Sequence, residues 1–492
     1  MDITHLGHAC IRIEHQKLSL TTDPWFYPAF LKSWFPYPDN REHLRTALAS
    51  DYIYLSHAHE DHFDREFLKQ VDPLLTSLII PGFRSHYMEK ELAKLGFSGQ
   101  FAPIVLSHGE STTLPTGLKL TVLTDRSHKE DSALLAETPD GFRFLDSNDC
   151  ELAIPDWPKD IDLLAAQFSG AFWYPQCYEF DAATMAQKCA EVRKNNLDRL
   201  VRRVTRTNAK AYMPSAGPAV FLDPALDAYN AHGGIFPHWE EVAPRFHECL
   251  PSVDIWPFCA TFTDINDYRH ARREEWASWY REPDDAVGVD ELASHFYRLQ
   301  RNNKRFVNGW EKDVLLSASH SSWQLRLGLL RDHLEETFDP AYYLRMPPRV
   351  LRAVIDGRAT WETALLSMRV GLRREPDVFD STLMGLLTYG DRPIQTATMA
   401  KQRSSDELVT RDGITFQRWC PHAGEDLTYA RMEDGMIICP RHEWAWDDQT
   451  GRCLNHDIPL RIQKLVVSCG HGKRRDRVQR LSPCIRGIQG DS

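Results

Sequence analysis

The chain has 492 residues, of which 42% are hydrophobic and 26% are charged. This length is more than one hydrophobic core accommodates, so we expect about two to four domains. The net charge of −11 disfavours a general nucleic-acid-binding protein. No apolar run reaches the roughly 18 residues that would predict a membrane span.

The N-terminus has no basic start followed by an apolar core, so we do not expect a secretory signal. Most of the eleven cysteines are scattered without paired spacing. An odd, dispersed set of this kind is typical of reduced thiols. We therefore expect a cytoplasmic protein.

Residues 1–253 alternate predicted strands with turns. Gly, Pro and Asp separate short apolar runs, and a helical pattern begins after Asp181 and continues to about Thr207. This mixture predicts an α/β domain with sheet layers covered by helices. The predicted strands include CIRIEH, KLSLTTDPW, DYIYLS, TGLKLTVLTD, SALLAE, FRFLDSNDC and AKAYMPS.

Residues 254–395 are predicted to form a mostly helical region. Its clearest helical patterns are PAYYLRMPPRVLRAVIDG and TWETALLSMRVGLRREPDVFDSTLMGLL. After a linker, residues 407–468 are again strand-like and predict an all-β domain. Residues 469–492 form a basic tail that we expect to be poorly ordered.

Two cysteines and two histidines near the C-terminus have the spacing of iron–sulfur ligands. Sixteen residues separate the pair Cys420 and His422 from the pair Cys439 and His442. Ligands of this kind hold a Rieske [2Fe–2S] cluster, with thiolates on one iron and imidazoles on the other. The motif therefore predicts a cofactor that transfers one electron at a time.

The residues around these ligands favour one class of Rieske domain. Glu425 and Arg441 lie in the two ligand loops, where the respiratory type often carries an extra cysteine pair. The motif therefore resembles the ferredoxin and oxygenase type. Trp444 and Trp446 are expected to pack over the cluster and limit solvent there.

A second metal motif, HAHEDH, follows an apolar strand near the N-terminus. It provides His57, His59, Asp61 and His62 within six residues. Imidazole and carboxylate donors without thiolate suit zinc, iron or manganese. Zinc would give a hydrolase, whereas iron can bind and activate oxygen. Because zinc has no redox chemistry, an attached Rieske cluster favours iron, either mononuclear or dinuclear.

The string HAHEDH resembles the HxHxDH signature of the metallo-β-lactamase fold, which implies an αββα sandwich. Asp23 in TTDPW matches that family's early DPW motif, and His128 and Asp149 follow later strands where further ligands are expected. The resemblance implies His57, His59 and His128 at metal one, Asp61 and His62 at metal two, and Asp149 as a bridge.

One position departs from that family's pattern. The strand AKAYMPS should end in a histidine ligand for metal two, but Ser215 stands there. His232 and His238 are the nearest later candidates, with surface or core roles as the alternative for each. The resemblance also places His8 near the metal pocket, with a structural role as its alternative.

The two motifs together resemble the CMP-N-acetylneuraminate hydroxylase family, which combines both domain types. The similarity extends over most of residues 1–395. In that family the Rieske domain lies at the N-terminus, whereas here it is C-terminal. No residue is an identifiable reader of CMP, so the resemblance does not carry over the substrate. The similar segments, in chain order, include IYLSHAHEDHFDREFLKQ, SALLAETPDGFRFLDSNDCEL, DLLAAQFSGAFWYP and TWETALLSMRVGLRREPDVF.

Our leading hypothesis is a Rieske-dependent iron monooxygenase that uses O2. An external donor, such as a ferredoxin, a cytochrome b5-like protein or a reductase, would supply the electrons. The substrate would be a polar small molecule, either an N-acyl or amino sugar nucleotide or a natural-product intermediate, which is hydroxylated or N-oxygenated. Two alternatives stay open: a metal-dependent hydrolase with a regulatory Rieske domain, and a non-catalytic electron carrier.

Overall fold

The computed structural model describes most of the chain. His442 and the predicted basic tail at 469–492 lie outside the described residues. The described ranges are 1–125, 127–170, 172–256, 265–319, 321–327, 340–441, 443–454 and 458–463. Within them, no helix combines the length and the hydropathy that crossing a membrane requires.

The N-terminal part begins with a six-stranded mixed sheet. Its first three strands form an antiparallel meander, and the remaining three follow in parallel. Consecutive parallel strands need crossover connections, because one strand ends at the opposite end of the sheet from where the next begins. In spatial order the strands are Asp2–Gly7, Cys10–His15, Leu18–Thr22, Tyr52–Tyr54, Ser77–Pro81 and Ile104–Leu106.

A seven-stranded sheet packs against the first. One half is antiparallel and the other half is parallel. In spatial order its strands are Asp254–Ile255, Ala211–Ser215, Leu163–Gln167, Arg143–Asn148, Ser132–Glu137, Lys119–Thr124 and Ser111–Thr113. A separate two-stranded ribbon pairs Trp34–Phe35 with Val220–Phe221.

Alternating side chains divide this part into three apolar layers. Ile13 and Val122 belong to the layer between the sheets. Ile53 packs with the helices that cover the first sheet, and Leu164 packs with Val204 outside the second. Burying each such side chain contributes about 1.5–3 kcal/mol. The predicted αββα sandwich is thereby confirmed.

Five α-helices cover the two outer faces of the sandwich. The longest begins at the predicted N-cap, because Asp181 Oδ1 accepts the N–H groups of Ala183 and Thr184, each at 3.0 Å. It ends where Asn208 adopts a left-handed φ of 49°. The helices are Leu44–Leu48, Arg65–Leu68 and Tyr87–Lys94 on one face, with Ala182–Thr207 and Trp239–Cys249 on the other.

The middle region is helical, as predicted, but it also contains a four-stranded sheet. The sheet order is Ser321–Leu327, Lys312–Ala318, Tyr342–Met346 and Gly371–Arg374. Its helices are Ile265–Ala271, Arg273–Ala277, Val289–Asn302, Pro348–Ile355, Trp361–Leu366, Ser381–Tyr389 and Pro393–Arg403.

Two of these strands lie in segments that we predicted to be helical, and that part of the prediction is wrong. Tyr342, Leu344 and Met346 are buried, while the residues between them are more exposed. This period of two indicates a strand. In PAYYLRMPPRVLRAVIDG the helix is limited to Pro348–Ile355. It begins at Pro348, because proline is favoured in the first turn of a helix.

The described residues of the C-terminal domain form six short strands in two three-stranded sheets, so the all-β prediction is confirmed. Phe416, Ile437 and Trp446 form its core together with Cys420 and Cys439. The strands are Leu408–Arg411, Ile414–Gln417 and Ile462–Gln463 in one sheet, with Arg431–Glu433, Met436–Ile438 and Ala445–Asp447 in the other.

Candidate metal centre

Two histidines from the loop after strand Tyr52–Tyr54 bring their ring nitrogens together. His57 Nε2 lies 2.9 Å from His59 Nδ1. Asp149, just past strand Arg143–Asn148, completes a group whose donor atoms all lie within 4.8 Å of one another. Loops from both sheets therefore contribute to this group.

A second group of donors lies beside the first. His8, Asp61 and His62 are buried and also have donor atoms within 4.8 Å of one another. His62 Nε2 is 3.7 Å from Asp61 Oδ2 and 3.7 Å from Asp149 Oδ2. Asp149 therefore lies between the two groups, where a bridging carboxylate is expected.

His8 reaches the centre because of an unusual turn. It follows Gly7 at the end of the first strand and adopts a left-handed φ of 51°. Its Nε2 lies 3.2 Å from Asp61 Oδ2. Its own carbonyl accepts the N–H of Ala216 at 3.0 Å, which ties this turn to the end of strand Ala211–Ser215. The second sheet therefore holds His8 in place.

His8 completes the second group, for which the family pattern expects a histidine at position 215. Ser215 instead donates its hydroxyl to Asn148 Oδ1 at 2.9 Å and is fully buried. Neither later candidate belongs to a donor group. His238 caps the N-terminus of helix Trp239–Cys249, and His232 is exposed, with 85% of its side chain accessible.

Asp23 orients His62 and the neighbouring residues of the centre without belonging to either donor group. Its carboxylate accepts hydrogen bonds from Ser56 N–H at 2.7 Å, Ser56 Oγ at 2.6 Å and Asn148 Nδ2 at 2.8 Å. His62 Nδ1 lies 2.8 Å from the same carboxylate, which leaves Nε2 directed toward Asp61 and Asp149. A carboxylate behind a ligand imidazole fixes its tautomer and increases its basicity.

Glu362 contacts the outer nitrogen of His59 from the middle region. The distance from His59 Nε2 to Glu362 Oε1 is 3.4 Å, and Arg392 forms an ion pair with the same carboxylate. Because 303 positions separate the two residues, the sequence gives no local sign of this contact. The middle region therefore forms one wall of the centre.

His128, expected from the resemblance as a ligand of metal one, lies in neither donor group. Its buried ring lies 5.0 Å from that of Tyr389, in an edge-on arrangement. Burial, and then the charges of Lys129 and Arg441, lower the pKa of His128 to about 3. From the same loop, Asp131 places its Oδ1 3.4 Å from His57 Nδ1.

The pKa shifts reflect dense packing of acids and imidazoles. Burial alone would raise the pKa of Asp61, but His62 and His8 outweigh it and hold that pKa well below its usual value. Burial would lower the pKa of His62, but Asp61, Asp149 and Asp23 raise it well above its usual value. Carboxylates and imidazoles thus stabilise one another's charged forms.

This donor set fits transition-metal ions. His62 Nε2 is buried and has no hydrogen-bond partner in the described part of the chain. A buried nitrogen facing two carboxylate oxygens is costly without a proton or a cation between them. Nitrogen and oxygen donors without thiolate suit iron, zinc or manganese. The residues present therefore fit one metal ion at each group.

The cysteines of the Rieske motif are arranged for metal binding. Cys420 and Cys439 are both fully buried. Burial would raise the pKa of Cys420, but a hydrogen bond with Cys439 and N–H groups of the ligand loop outweigh it and lower that pKa. His422 stacks on Trp444 with ring centroids 4.0 Å apart and planes 11° apart. These residues fit the predicted cluster.

A small polar pocket lies beside Asp149. Gln167 donates to Asp149 Oδ1 at 3.0 Å and lines the pocket. The free volume is about 10 Å³, enough for one water-sized group. Among the described residues, Ser169 Oγ and Arg199 Nε have no hydrogen-bond partner. The remaining lining residues are Asn196, Leu200 and Arg203.

Comparison with family profiles identifies both domains. Residues 2–147 match the Beta-lactamase superfamily domain, and residues 399–465 match the Rieske [2Fe-2S] domain. The chain therefore carries a metallo-β-lactamase-fold domain followed by a C-terminal Rieske domain. The Rieske match supports a [2Fe–2S] cluster as a cofactor.

Several curated proteins, including the two that follow, are similar over most of the chain. A protein of Mycolicibacterium smegmatis, named as a Rieske 2Fe-2S iron-sulfur protein, is 29% identical, and the alignment covers 94% of this chain and 100% of that protein. That name states no reaction. The cytidine monophosphate-N-acetylneuraminic acid hydroxylase of Gorilla gorilla gorilla is 28% identical, with 77% of this chain and 69% of that protein covered.

Among solved structures, one similar chain is that of CmlA, a diiron beta-hydroxylase from Streptomyces venezuelae. It matches at 15% identity with a TM-score of 0.35. The match covers 51% of this chain and 52% of CmlA.

Proposed function

We propose that the protein is an O2-dependent monooxygenase whose Rieske cluster supplies electrons to an iron site in the metallo-β-lactamase-fold domain. The observation that carries this proposal is the pair of donor groups that meet at Asp149, in a chain that also has a Rieske domain. His57, His59 and Asp149 would hold one ion, and His8, Asp61 and His62 the other.

Iron accounts better than zinc for the combination of the two domains. Zinc has no redox chemistry, so a one-electron cofactor in the same chain would have no acceptor. The donor set accepts either metal, because imidazole and carboxylate suit both. Bound iron supplies O2 activation, and the cluster supplies single electrons. The choice of iron therefore rests on the Rieske domain.

Residues around the centre orient the ligands. Asp23 and Glu362 hold the imidazoles of His62 and His59 from outside the donor groups. Burial, and then the charge of Asp149, raise the pKa of Asp131 to about 7.

The small pocket beside Asp149 has a polar lining. Arg199 and Ser169 offer hydrogen-bonding atoms that no described residue satisfies, and Gln167 connects the pocket to the metal-site carboxylate. That volume is enough for one water molecule, so the pocket does not define the substrate. The choice of substrate class rests instead on similarity to a sugar-nucleotide hydroxylase. We therefore propose an N-acyl or amino sugar nucleotide, with a natural-product intermediate as the alternative.

Single turnover with labelled oxygen tests the proposal. The protein is loaded with iron, reduced anaerobically and mixed under ¹⁸O2 with CMP-N-acetylneuraminate or with a panel of amino sugar nucleotides. Incorporation of one ¹⁸O atom into the product, lost in the His57→Ala variant, is the expected result. Turnover that proceeds without O2 and without reductant would instead identify a metal-dependent hydrolase.

The electrons would come from an external one-electron donor. A ferredoxin, a cytochrome b5-like protein and a reductase are the candidates, because a Rieske cluster accepts one electron at a time. Mixing the oxidised protein with each reduced donor and following the bleaching of the cluster absorbance would rank them. The donor that bleaches the cluster fastest should also support the highest turnover.

A further inference from the structure

One loop of the sandwich contacts both metal-binding regions of the chain. It joins the antiparallel strands Lys119–Thr124 and Ser132–Glu137, and we call its described residues, 125 and 127–131, the bridging loop. The N–H of Asp125 donates to the carbonyl of Asp131 at 2.7 Å. One backbone hydrogen bond therefore connects the two ends of the loop.

The first end of the bridging loop binds the Rieske domain. Arg441 forms a buried ion pair with Asp125, and only 7% and 4% of the two side chains are exposed. The same guanidinium donates to Ser127 Oγ and to Glu425 Oε2, each at 3.1 Å. In the sequence, Arg441 stands between Cys439 and the predicted ligand at position 442. This end of the loop therefore contacts the ligand loop of the cluster directly.

The second end of the bridging loop contacts the metal centre. Asp131 Oδ1 lies 3.4 Å from His57 Nδ1. The next residue, Ser132, donates its hydroxyl to the carbonyl of Ser56 at 2.5 Å. Ser56 precedes His57 and is itself held by Asp23, as described above. The loop thus contacts both the imidazole of a metal-site ligand and the backbone next to it.

The bridging loop is also fixed between its two ends. Glu130 accepts hydrogen bonds from the N–H of Ser85 at 2.9 Å and from its hydroxyl at 2.6 Å. Gln395, on a helix of the middle region, donates to the carbonyl of Lys129 at 3.3 Å. These contacts tie the loop to the rest of the sandwich through Ser85 and to the middle region through Gln395. Its position relative to the two metal-binding regions is therefore set by the fold.

We propose that the bridging loop is the intramolecular connection through which electrons pass from the Rieske cluster to the metal centre. Arg441, Asp125 and Asp131 act as its positioning residues. This inference rests on the proposed function and adds that the transfer occurs within one chain. With the cluster and iron bound, one electron would pass from the reduced cluster to ferric iron held by the donor groups, so that the cluster is oxidised and the iron becomes ferrous. The external one-electron donor would then reduce the oxidised cluster again.

An ion pair outside the bridging loop provides a control for simple docking of the two domains. A second ion pair, between Arg202 and Glu443 at 2.6 Å, also joins the Rieske domain to the sandwich. Arg202 lies on helix Ala182–Thr207, outside the bridging loop. Neither residue of this second pair belongs to the bridging loop, and the pair is more exposed than the pair of Arg441 with Asp125. The Arg202→Gln variant is therefore a matched control for the Asp125→Asn variant.

Flash reduction of the cluster in iron-loaded protein tests the connection. Under anaerobic conditions, the decay of the reduced-cluster absorbance reports the transfer to ferric iron. We expect a first-order decay whose rate is independent of protein concentration. The Asp125→Asn and Arg441→Lys variants should slow it by about tenfold or more, since both disturb groups next to the ligands. The Arg202→Gln variant should stay within about twofold of the unchanged protein.

A second measurement does not depend on loaded iron. Amide hydrogen exchange in protein without iron at the N-terminal centre reports whether the loop is held. The Ser127 N–H donates to Asp125 Oδ1 at 2.7 Å, so this amide should exchange faster in Asp125→Asn and at an unchanged rate in Arg202→Gln. The cluster spectrum of each variant shows whether the Rieske domain has folded.

Three results would overturn the inference. Equal decay rates in Asp125→Asn and Arg202→Gln would mean that the bridging loop is not the connection. A rate that rises with protein concentration would mean that electrons pass between chains. If the unchanged protein moves no electron to a second metal, the proposed function fails together with the inference. Normal transfer that is insensitive to Asp125 overturns the inference alone.

Discussion

The imidazole of His8 and the carboxylate of Asp61 lie 3.2 Å apart, although 53 positions separate them in the chain. The contact brings the turn of the first hairpin into the metal centre. It gives the second donor group an imidazole where the family pattern would place one at Ser215. Each donor group then contains three residues that could hold a metal ion.

Replacing His8 should remove one of the two metal ions. In the His8→Ala variant, His62 and Asp61 remain, but two ligands hold a transition metal much more weakly than three. We expect the metal content outside the cluster to fall by about half, as measured by elemental analysis. The His232→Ala variant, which changes an exposed imidazole, should keep its full metal content. Unchanged metal in His8→Ala would exclude His8 as a ligand.

Asp23 should increase the affinity of the centre for metal without binding the metal itself. The Asp23→Asn variant keeps the shape of the side chain but weakens the hold on His62 and Ser56. Loss of such an outer carboxylate typically reduces metal affinity by about 10–100-fold. Titration of metal-free protein with ferrous iron would measure this change. Asp51, which accepts similar bonds from Ser19 away from the centre, provides the control variant Asp51→Asn.

The structure and the family pattern make different predictions about metal binding by His128. The family pattern makes it a ligand of metal one, whereas the structure packs it against Tyr389. We expect the His128→Gln variant to retain the metal content of the unchanged protein. Elemental analysis of the two proteins, purified side by side, decides the question. The loss of one ion per chain would restore His128 to the ligand set.

His295 should make stability depend on pH. Burial, and then Arg298, lower its pKa from 6.5 to about 4, and the neutral ring accepts a hydrogen bond from Trp361 Nε1 at 2.9 Å. Below pH 6.5 the unfolded chain binds a proton that the folded protein does not bind. This contribution is therefore complete above that pH and is lost as the pH falls toward 4.

The expected loss is about 2 kcal/mol between about pH 7.5 and pH 5, and urea unfolding at the two values would measure it. The His295→Gln variant has no ring to protonate, so its free energy of unfolding should fall by less over the same interval. Equal losses in both proteins would show that other groups cause the pH dependence.

The motifs within single loops were the part of the site that the sequence could predict. His57, His59, Asp61 and His62 lie within six residues, and the Rieske pairs have a fixed spacing. Such ligands remain close whatever the rest of the chain does. The sandwich could also be predicted, because alternating apolar residues specify strands locally.

In contrast to the motifs within single loops, the contacts between distant segments could not be predicted from the sequence. Glu362 meets His59 across 303 positions, and nothing near either residue indicates the contact. The only local sign for His8 is its position after a glycine, in the turn between two predicted strands. Its place in the donor group depends on a left-handed backbone and on a hydrogen bond to the second sheet.

Two strands of the middle region were predicted as helical for a related reason. Tyr342–Met346 and Gly371–Arg374 are short, and each is stabilised by pairing with a strand that is distant in the sequence. Their residues, rich in Leu, Met and Arg, have good helix propensity, which tertiary packing overrides here. In contrast, helix Pro348–Ile355 was found because its apolar residues repeat with helical spacing.

Mössbauer spectroscopy of protein grown with ⁵⁷Fe tests the central claim most directly. The account predicts an iron signal in addition to that of the [2Fe–2S] cluster, and this signal should decrease in the His57→Ala variant while the cluster signal remains. A spectrum in which all iron belongs to the cluster, with zinc bound at the N-terminal centre, would contradict the account.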